Sequence, residues 1–410
     1  MKKTLWTKNF TLVTAASALG AVGGIAGGFA LSFLVFDETG STLASALILA
    51  IQLVPFFVLP LFLAPVMDRL PRKPFLVAGD LIDGVLYALM GLYLLKFEFS
   101  YAAYLGYSLL LACLESFDEL AFQSIYPKLI PDGMEQQGYA VSTTLYPILR
   151  VLMLPLAGVL LDAVGAAWIL IGQGGLSLLA ALIESNIDIT EHRREGGEKL
   201  FTLRQWRADI KEAAEYLKNE RGVTGIFSYM AVTNGVASGY SSILVAFFRT
   251  FPGFTAAMYS LFSVFEFAGR TLGGAVQYKL KIAKEKKFGF TFLVYQIYEL
   301  MDMCLLWLPY PLMLANRALV GFLGANSATM RQAAMQTYIP EELRARLNAF
   351  QNMLITAASG LFALIIGALG EVLDYRLCVS LCGGFSMAVC LATIWRGRKY
   401  VRAVYERSGE

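Results

Sequence analysis

Ile130-Pro131-Asp132 returns as Ile339-Pro340-Glu341, and Gly158 with Asp162 four residues on returns as Gly367 with Glu371, both at an offset of 209 residues. A third echo, Ala64-Pro65-Val66 against Gly274-Ala275-Val276, stands at 210, so few insertions separate the two copies. All three echoes adjoin long apolar runs. The chain therefore reads as one unit written twice, and a duplicated membrane bundle is the arrangement that lets two halves rock about a central site.

Working outward from the echoes, 57% apolar and 16% charged residues do not describe a soluble surface. About 30 Å of hydrocarbon needs roughly 20 apolar residues per helix. Such spans are drawn at 10 to 36, 43 to 67, 74 to 95, 101 to 126, 137 to 161, 167 to 187, 223 to 248, 254 to 278, 288 to 308, 311 to 330, 347 to 370 and 376 to 395. That is an all-α membrane protein of twelve transmembrane helices in two six-helix pseudo-repeats. The basic residues test the drawing independently, because Lys and Arg gather on the cytoplasmic side of short loops. With the N-terminus inside, 28 of the 34 Lys and Arg fall in cytoplasmic segments, Lys96, Arg249 and Arg376 fall outside, and Arg150, Arg270 and Arg317 lie within spans. Both termini are expected to be cytoplasmic, in a multi-pass bacterial-type cell (inner) membrane.

The first apolar run is too long and too glycine-rich for a cleaved signal peptide. The net charge of +3 follows from the loop asymmetry and gives no reason to expect nucleic acid. All five cysteines lie in apolar runs, and the single His192 offers no ligand partner, so neither a metal nor a cofactor is expected. The domains read as a bundle over 1–187, a cytoplasmic linker over 188–222, a second bundle over 223–395 and a tail over 396–410. Within the linker, Leu203, Trp206, Ile210, Ala213, Ala214 and Leu217 recur at helical spacing opposite a charged face. Thr202 with Gln205 is a capping-box start and Gly222 a stop, which predicts an amphipathic helix at the cytoplasmic surface.

Ala64-Pro65-Val66-Met67-Asp68-Arg69-Leu70-Pro71-Arg72-Lys73 resembles the signature between the second and third helices of the major facilitator superfamily. Asp68, Arg69, Arg72 and Lys73 match it, while Ala64 and Pro71 stand where that family usually has glycine. Tyr126-Pro127-Lys128-Leu129-Ile130-Pro131, and Gln336 through Asn348 after the tenth span, look like the drug-antiporter branch with macrolide and siderophore exporters. Pro155 and Gly158 match two positions of an antiporter signature from which Leu154 and Val159 depart. The resemblance implies secondary transport by alternating access, with spans one, four, seven and ten lining the cavity. It also implies a monomer.

Charged groups inside spans are the natural functional candidates, since each costs about 2.5–3.5 kcal/mol on insertion scales. Glu115, Asp118, Glu119 and Gln123 share the fourth span at spacings of three or four. Given the cavity the resemblance implies, Glu115, Asp118 and Glu119 are proton-coupling candidates, with Arg150 as countercharge or anion site. Asp68, Arg69, Arg72, Lys73, Asp80 and Asp83 are expected to form gate-locking pairs. Glu266 and Arg270, four apart, can satisfy each other. Glu299 and Asp302 have no obvious base nearby, and Arg317 is a cavity candidate. Gly20, Gly24 and Gly28, beside Gly23 and Gly27, suggest close helix packing. Asn234 and Tyr240, with Tyr104, Tyr107 and Arg317, are expected to contact substrate.

The leading expectation is proton-coupled efflux of amphipathic small molecules: a drug, a macrolide or a siderophore-like compound. The alternative is a lysophospholipid or lipid flippase of the same fold. No phosphate-binding loop occurs, which excludes ATP through that motif, and no nucleophile or metal constellation suggests an enzyme. The expected partners are the substrate, protons and the lipid bilayer.

Overall fold

The computed structural model describes residues 4–67, 71–131, 133–189, 203–279 and 282–407. Among the described residues the first half contributes α1 (Lys8–Thr39), α2 (Thr42–Met67), α3 (Lys73–Lys96), α4 (Tyr101–Leu129), α5 (Glu135–Val164) and α6 (Ala166–Ser185). The second half contributes α8 (Arg221–Thr250), α9 (Ala256–Lys279), α10 (Lys284–Cys304), α11 (Tyr310–Tyr338), α12 (Glu341–Gly370) and α13 (Tyr375–Cys390). Two amphipathic helices complete the set, α7 (Leu203–Asn219) and α14 (Arg398–Arg407). The twelve long helices fall on the twelve spans drawn from sequence, and among the described residues eight segments are long and apolar enough to cross a membrane by composition alone. Helices dominate because hydrocarbon offers backbone N–H and C=O groups no partner, so each segment must bond to itself.

Local chemistry sets the helix ends. Thr7 caps α1 by accepting the Phe10 N–H at 3.3 Å, and Gly40, at φ 64°, ends it in the left-handed conformation that favours glycine. Asp374 caps α13 by accepting the N–H groups of Arg376 and Leu377. The same helix leaves regular geometry in a π turn at Leu391–Trp395.

The chain divides into two compact units, each with its own internal packing. One comprises Met1–Gly40, Ile51–Phe201 and Pro252–Ser260, the other Ser41–Ala50, Thr202–Phe251 and Leu261–Glu410. In the first unit α3 and α6 are in backbone contact: a Cβ on Gly84 would lie 2.9 Å from the Gly174 carbonyl oxygen, and one on Gly174 would lie 2.6 Å from that of Gly84. Without a hydrophobic drive between helices in lipid, such close approach is what favours association. On α1 the packing glycines are Gly23 and Gly27, which meet Gln173 of α6. Gly20, Gly24 and Gly28 have nothing within 4 Å, which corrects their expected role. They lie on a different face of α1 from the one that meets α6. The start of α1 is tied to the chain after α6, where Lys8 pairs with Asp188 at 2.5 Å and Asn9 exchanges hydrogen bonds with the Asp188 backbone.

In the second unit a Cβ on Gly269 of α9 would collide with the Ala318 carbonyl, and one on Gly321 of α11 would collide with that of Glu266. One end of this unit is closed by α7 and α14. Ala213 and Leu217 of α7, and Val401, Val404 and Tyr405 of α14, enter one buried cluster with Val223, Ile226, Phe227 and Tyr295. Arg346 of α12 pairs with Glu212 of α7 at 2.5 Å. The linker helix is therefore docked on protein as well as amphipathic. Ala214 of its expected apolar face is exposed, and Tyr216 packs in its stead. Gly222 is not the stop: α7 ends at Asn219, and Gly222 lies in the first turn of α8, where a Cβ would meet the Tyr400 carbonyl at 2.6 Å. Thr202 lies outside the described residues.

Leu217 is 7% exposed, so Leu217→Ala should cost about 2–4 kcal/mol of local stability. Limited proteolysis at Lys211 and Lys218 should speed up accordingly; unchanged cleavage would mean that α7 is held by its charges alone.

Candidate functional site

The first unit holds a cavity of about 350 Å³ lined by three helices. α1 contributes Thr14, Ser17 and Ala21; α4 contributes Glu119, Phe122 and Tyr126; α5 contributes Val141, Ser142, Thr143, Leu145 and Tyr146. Glu119 is the one ionisable carboxylate of the lining, among aromatic rings and hydroxyls, and it accepts a hydrogen bond from Gln123 Nε2 at 2.5 Å. The expected stripe is present: Glu115, Glu119 and Gln123 are all exposed on α4. Tyr126 is already committed, donating to the Gly138 carbonyl at 2.8 Å, and its ring packs with Phe122 and Tyr139. A mostly apolar wall with a few convergent polar groups is the usual make-up of a small-molecule site.

Next to the stripe, on α3, α4 and α6, is a group of acids without a metal-binding arrangement among the described residues. The Tyr87 hydroxyl of α3 reaches Glu115 Oε1 at 3.5 Å. Asp118 lies directly over Gly79, where an added Cβ would collide with Asp118 Oδ1. Asp80 of α3 and Glu184 of α6 are electrostatic neighbours on two helices that pack together. Glu184 is only 3% exposed. The sequence reading passed over it, although it is the single charged residue of α6 and that isolation was a usable signal.

These positions recast the expected gate. Asp80 and Asp83 are half-buried among other acids, and Lys73 donates to the Ser185 carbonyl at 2.7 Å. Asp68 and Arg69 lie outside the described residues, and Arg72 is half-buried as the residue preceding α3. Arg150 is exposed on α5, in no ion pair with the α4 acids among the described residues. Tyr104 is 1% exposed, whereas Tyr107 is half-buried beside it with ring centroids 6.1 Å apart.

The second unit holds a buried charge network. Asp302 of α10 forms an ion pair with Arg317 of α11, both nearly inaccessible. Tyr240 of α8 donates to Asp302 at 3.2 Å, and Asn316 accepts from Arg317 at 3.0 Å. One expectation is corrected, since Asp302 does have a base, and Arg317 and Tyr240, both expected at the substrate, are members of this buried network. Residue spacing gave no access to this pairing, because the partners lie on different helices. Glu299 accepts from Tyr229 and Thr233, each at 2.8 Å. Glu266 and Arg270 do pair within α9, at 2.8 Å. Asn234 alone of the second-half substrate candidates is exposed, its amide returning to the Met230 carbonyl at 2.8 Å.

The family model described as Major Facilitator Superfamily matches residues 12–297 and 296–409. The chain belongs to that superfamily. Its all-helical architecture agrees with solved structures of low sequence identity. One is a bacterial homolog to the human lysosomal transporter Spinster in an inward-facing and unoccupied conformation, 15% identical, with a TM-score of 0.65 over 97% of this chain and 93% of that one. Another is a POT family transporter in complex with a thioalcohol-conjugated peptide, 12% identical, with a TM-score of 0.67 over 95% and 96%. A third is a point mutant of the peptide transporter POT in complex with alafosfalin, 11% identical, with a TM-score of 0.69 over 98% and 97%. No curated protein matches the chain. The fold is that of a secondary transporter.

Removing one partner of a buried ion pair strands the other, which typically costs about 3–5 kcal/mol. Arg317→Met should therefore lower the thermal unfolding temperature in detergent sharply, and Arg317→Met with Asp302→Leu should recover most of the loss. Equal unfolding temperatures for Arg317→Met and wild type would show that Asp302 is solvated in the membrane.

Proposed function

We propose that this protein is a proton-coupled exporter of amphipathic small molecules bearing a cationic group, drug-like or macrolide-like, that works by alternating access. The observation that carries the reading is the cavity of α1, α4 and α5, whose lining sets one carboxylate, Glu119, among aromatic and hydroxyl groups. A cation entering such a lining gains a charge-assisted hydrogen bond and aromatic contact while its apolar body leaves water. Glu115 lies one helical turn from Glu119 on the same exposed stripe, so proton and substrate compete for neighbouring carboxylates. This competition is the physical basis of antiport.

The proton is carried by Glu115 with Asp118 and Glu119, and Asp80 and Glu184 extend the set. Neighbouring carboxyl groups in a membrane favour holding a proton between them, since bare anions would repel each other. Arg150, exposed on α5, discharges the stripe when it loses its proton. In this reading the six-helix bundles 1–187 and 223–395 move as bodies about the linker 188–222. Asp68, Arg69, Arg72 and Lys73 bias that motion at the cytoplasmic face, and both chain ends are cytoplasmic in a bacterial-type inner membrane. Tyr107 and Asn234 are the substrate contacts retained from sequence. The protein functions as a monomer.

Reconstituted into liposomes with a proton gradient, Glu115→Gln should remain folded and lose gradient-driven efflux of a lipophilic cation such as tetraphenylphosphonium. Full coupling in that variant would remove Glu115 from the proton path. Glu119→Gln should weaken equilibrium binding of the same cation by roughly tenfold or more, the worth of a hydrogen bond to a charged group. A neutral lysolipid should be indifferent to that change, and the reverse pattern would favour lipid transport.

A further inference from the structure

The repeated Gly-x3-acid element, Gly158 to Asp162 and Gly367 to Glu371, has no part in the cavity or the acid group, yet the structure puts both copies to the same use. On α12, Gly367 lets the start of α2 approach so closely that a Cβ would lie 2.5 Å from Ala46 Cβ and 3.1 Å from the Thr42 carbonyl. Thr42 then donates its hydroxyl to the Gly367 carbonyl at 2.8 Å. Glu371, one turn on, accepts the Leu43 N–H at 2.9 Å, the Ser41 hydroxyl at 2.8 Å and the Thr42 hydroxyl at 3.1 Å. On α5, Gly158 plays the same part against the start of α9, where a Cβ would stand 2.7 Å from the Ala257 Cα. Asp162 accepts the Ala257 N–H at 3.2 Å.

In each copy a carboxylate satisfies a free N–H at the amino end of a helix from the other half of the sequence, where the helix dipole also favours negative charge. By helix count, all four helix ends lie on one face of the membrane. The captured segments are also those that change company. Ser41–Ala50 packs with one compact unit while the rest of α2 packs with the other, and Pro252–Ser260 stands in the mirror relation to the rest of α9. A helix shared in this way must give up one attachment if the bundles rock.

We propose that Asp162 and Glu371 are paired positioning residues of the transport cycle: each holds the amino end of the opposite half's helix, and the two captures are made and broken together. The proposal rests on the alternating-access reading above. Two independent helix caps would be the simpler use of the same hydrogen bonds, and the difference lies in the word together. For Glu371, burial by itself would push the carboxyl up, but the Leu43 amide and the Ser41 and Thr42 hydroxyls outweigh it and hold it below the usual carboxylate range. Its capture thus persists above that range and loosens as pH falls through the lowered value, with Tyr375 of α13 the neighbouring titratable group.

Hydrogen–deuterium exchange of the full chain in lipid nanodiscs, with no substrate and no gradient, separates the two cases. Glu371→Ala should speed exchange over residues 41–46 by roughly fivefold, the usual worth of a lost cap. It should also speed exchange over residues 255–260, although Asp162 is untouched there. Asp162→Ala should do the reverse, and Glu371→Gln, which keeps an acceptor oxygen, should show the same linked pattern at smaller amplitude if the alanine variant does not fold. Faster exchange confined to the mutated end would reduce both residues to local caps and overturn the proposal, as would no change at either end. Because no transported molecule enters the measurement, failure of the export reading in liposomes would leave this result intact.

Discussion

Hydrocarbon offers no hydrogen bonds, and nearly every feature of this chain follows from that one deficit. Among the described residues, twelve long segments fold as helices because only a helix satisfies its own backbone locally. The same deficit removes the hydrophobic drive that would bring helices together in water, so association falls to close backbone approach. Gly84 against Gly174, and Gly269 against Gly321 with its neighbours on the facing helix, are the places where a missing Cβ permits that approach.

Charge obeys the same rule with higher stakes. The second unit pairs its buried Asp302 with Arg317, sets Glu266 against the exposed Arg270, and gives Glu299 two hydroxyl donors. The first unit does the opposite and collects acids on α3, α4 and α6 without a paired base among the ion pairs of the described residues. A bundle that only needed to be stable would neutralise such a group. In this respect the two halves differ despite their repeated elements. The repeated Gly-x3-acid element shows the complementary case, where duplication has been kept and both copies do the same work.

Much of this was legible from residues alone. Spans, the linker helix and the duplication depend on windows of about 20 residues, and transfer free energy is a local, additive property that a window can sum. The α4 stripe was legible for a similar reason, since residues three and four apart share a face whatever surrounds the helix. Glu266 and Arg270 pair within one helix and were equally accessible. Glu184, by contrast, was missed, and so was the joining of Arg317 and Tyr240 to Asp302 in a buried network.

The sequence by itself determined the twelve long apolar helices and the doubling of the chain, because apolar content and repeated motifs are read along the chain; the end of α7 and the helix α14 were not read from it. Only the tertiary structure decided which glycines touch a neighbour, which acid meets which base and which stay together unpaired. Those outcomes depend on the rotation of each helix about its axis and on its neighbours. A shift of one residue turns a side chain by about 100°, so Gly23 packs where Gly24 does not, and no count along the chain could tell them apart.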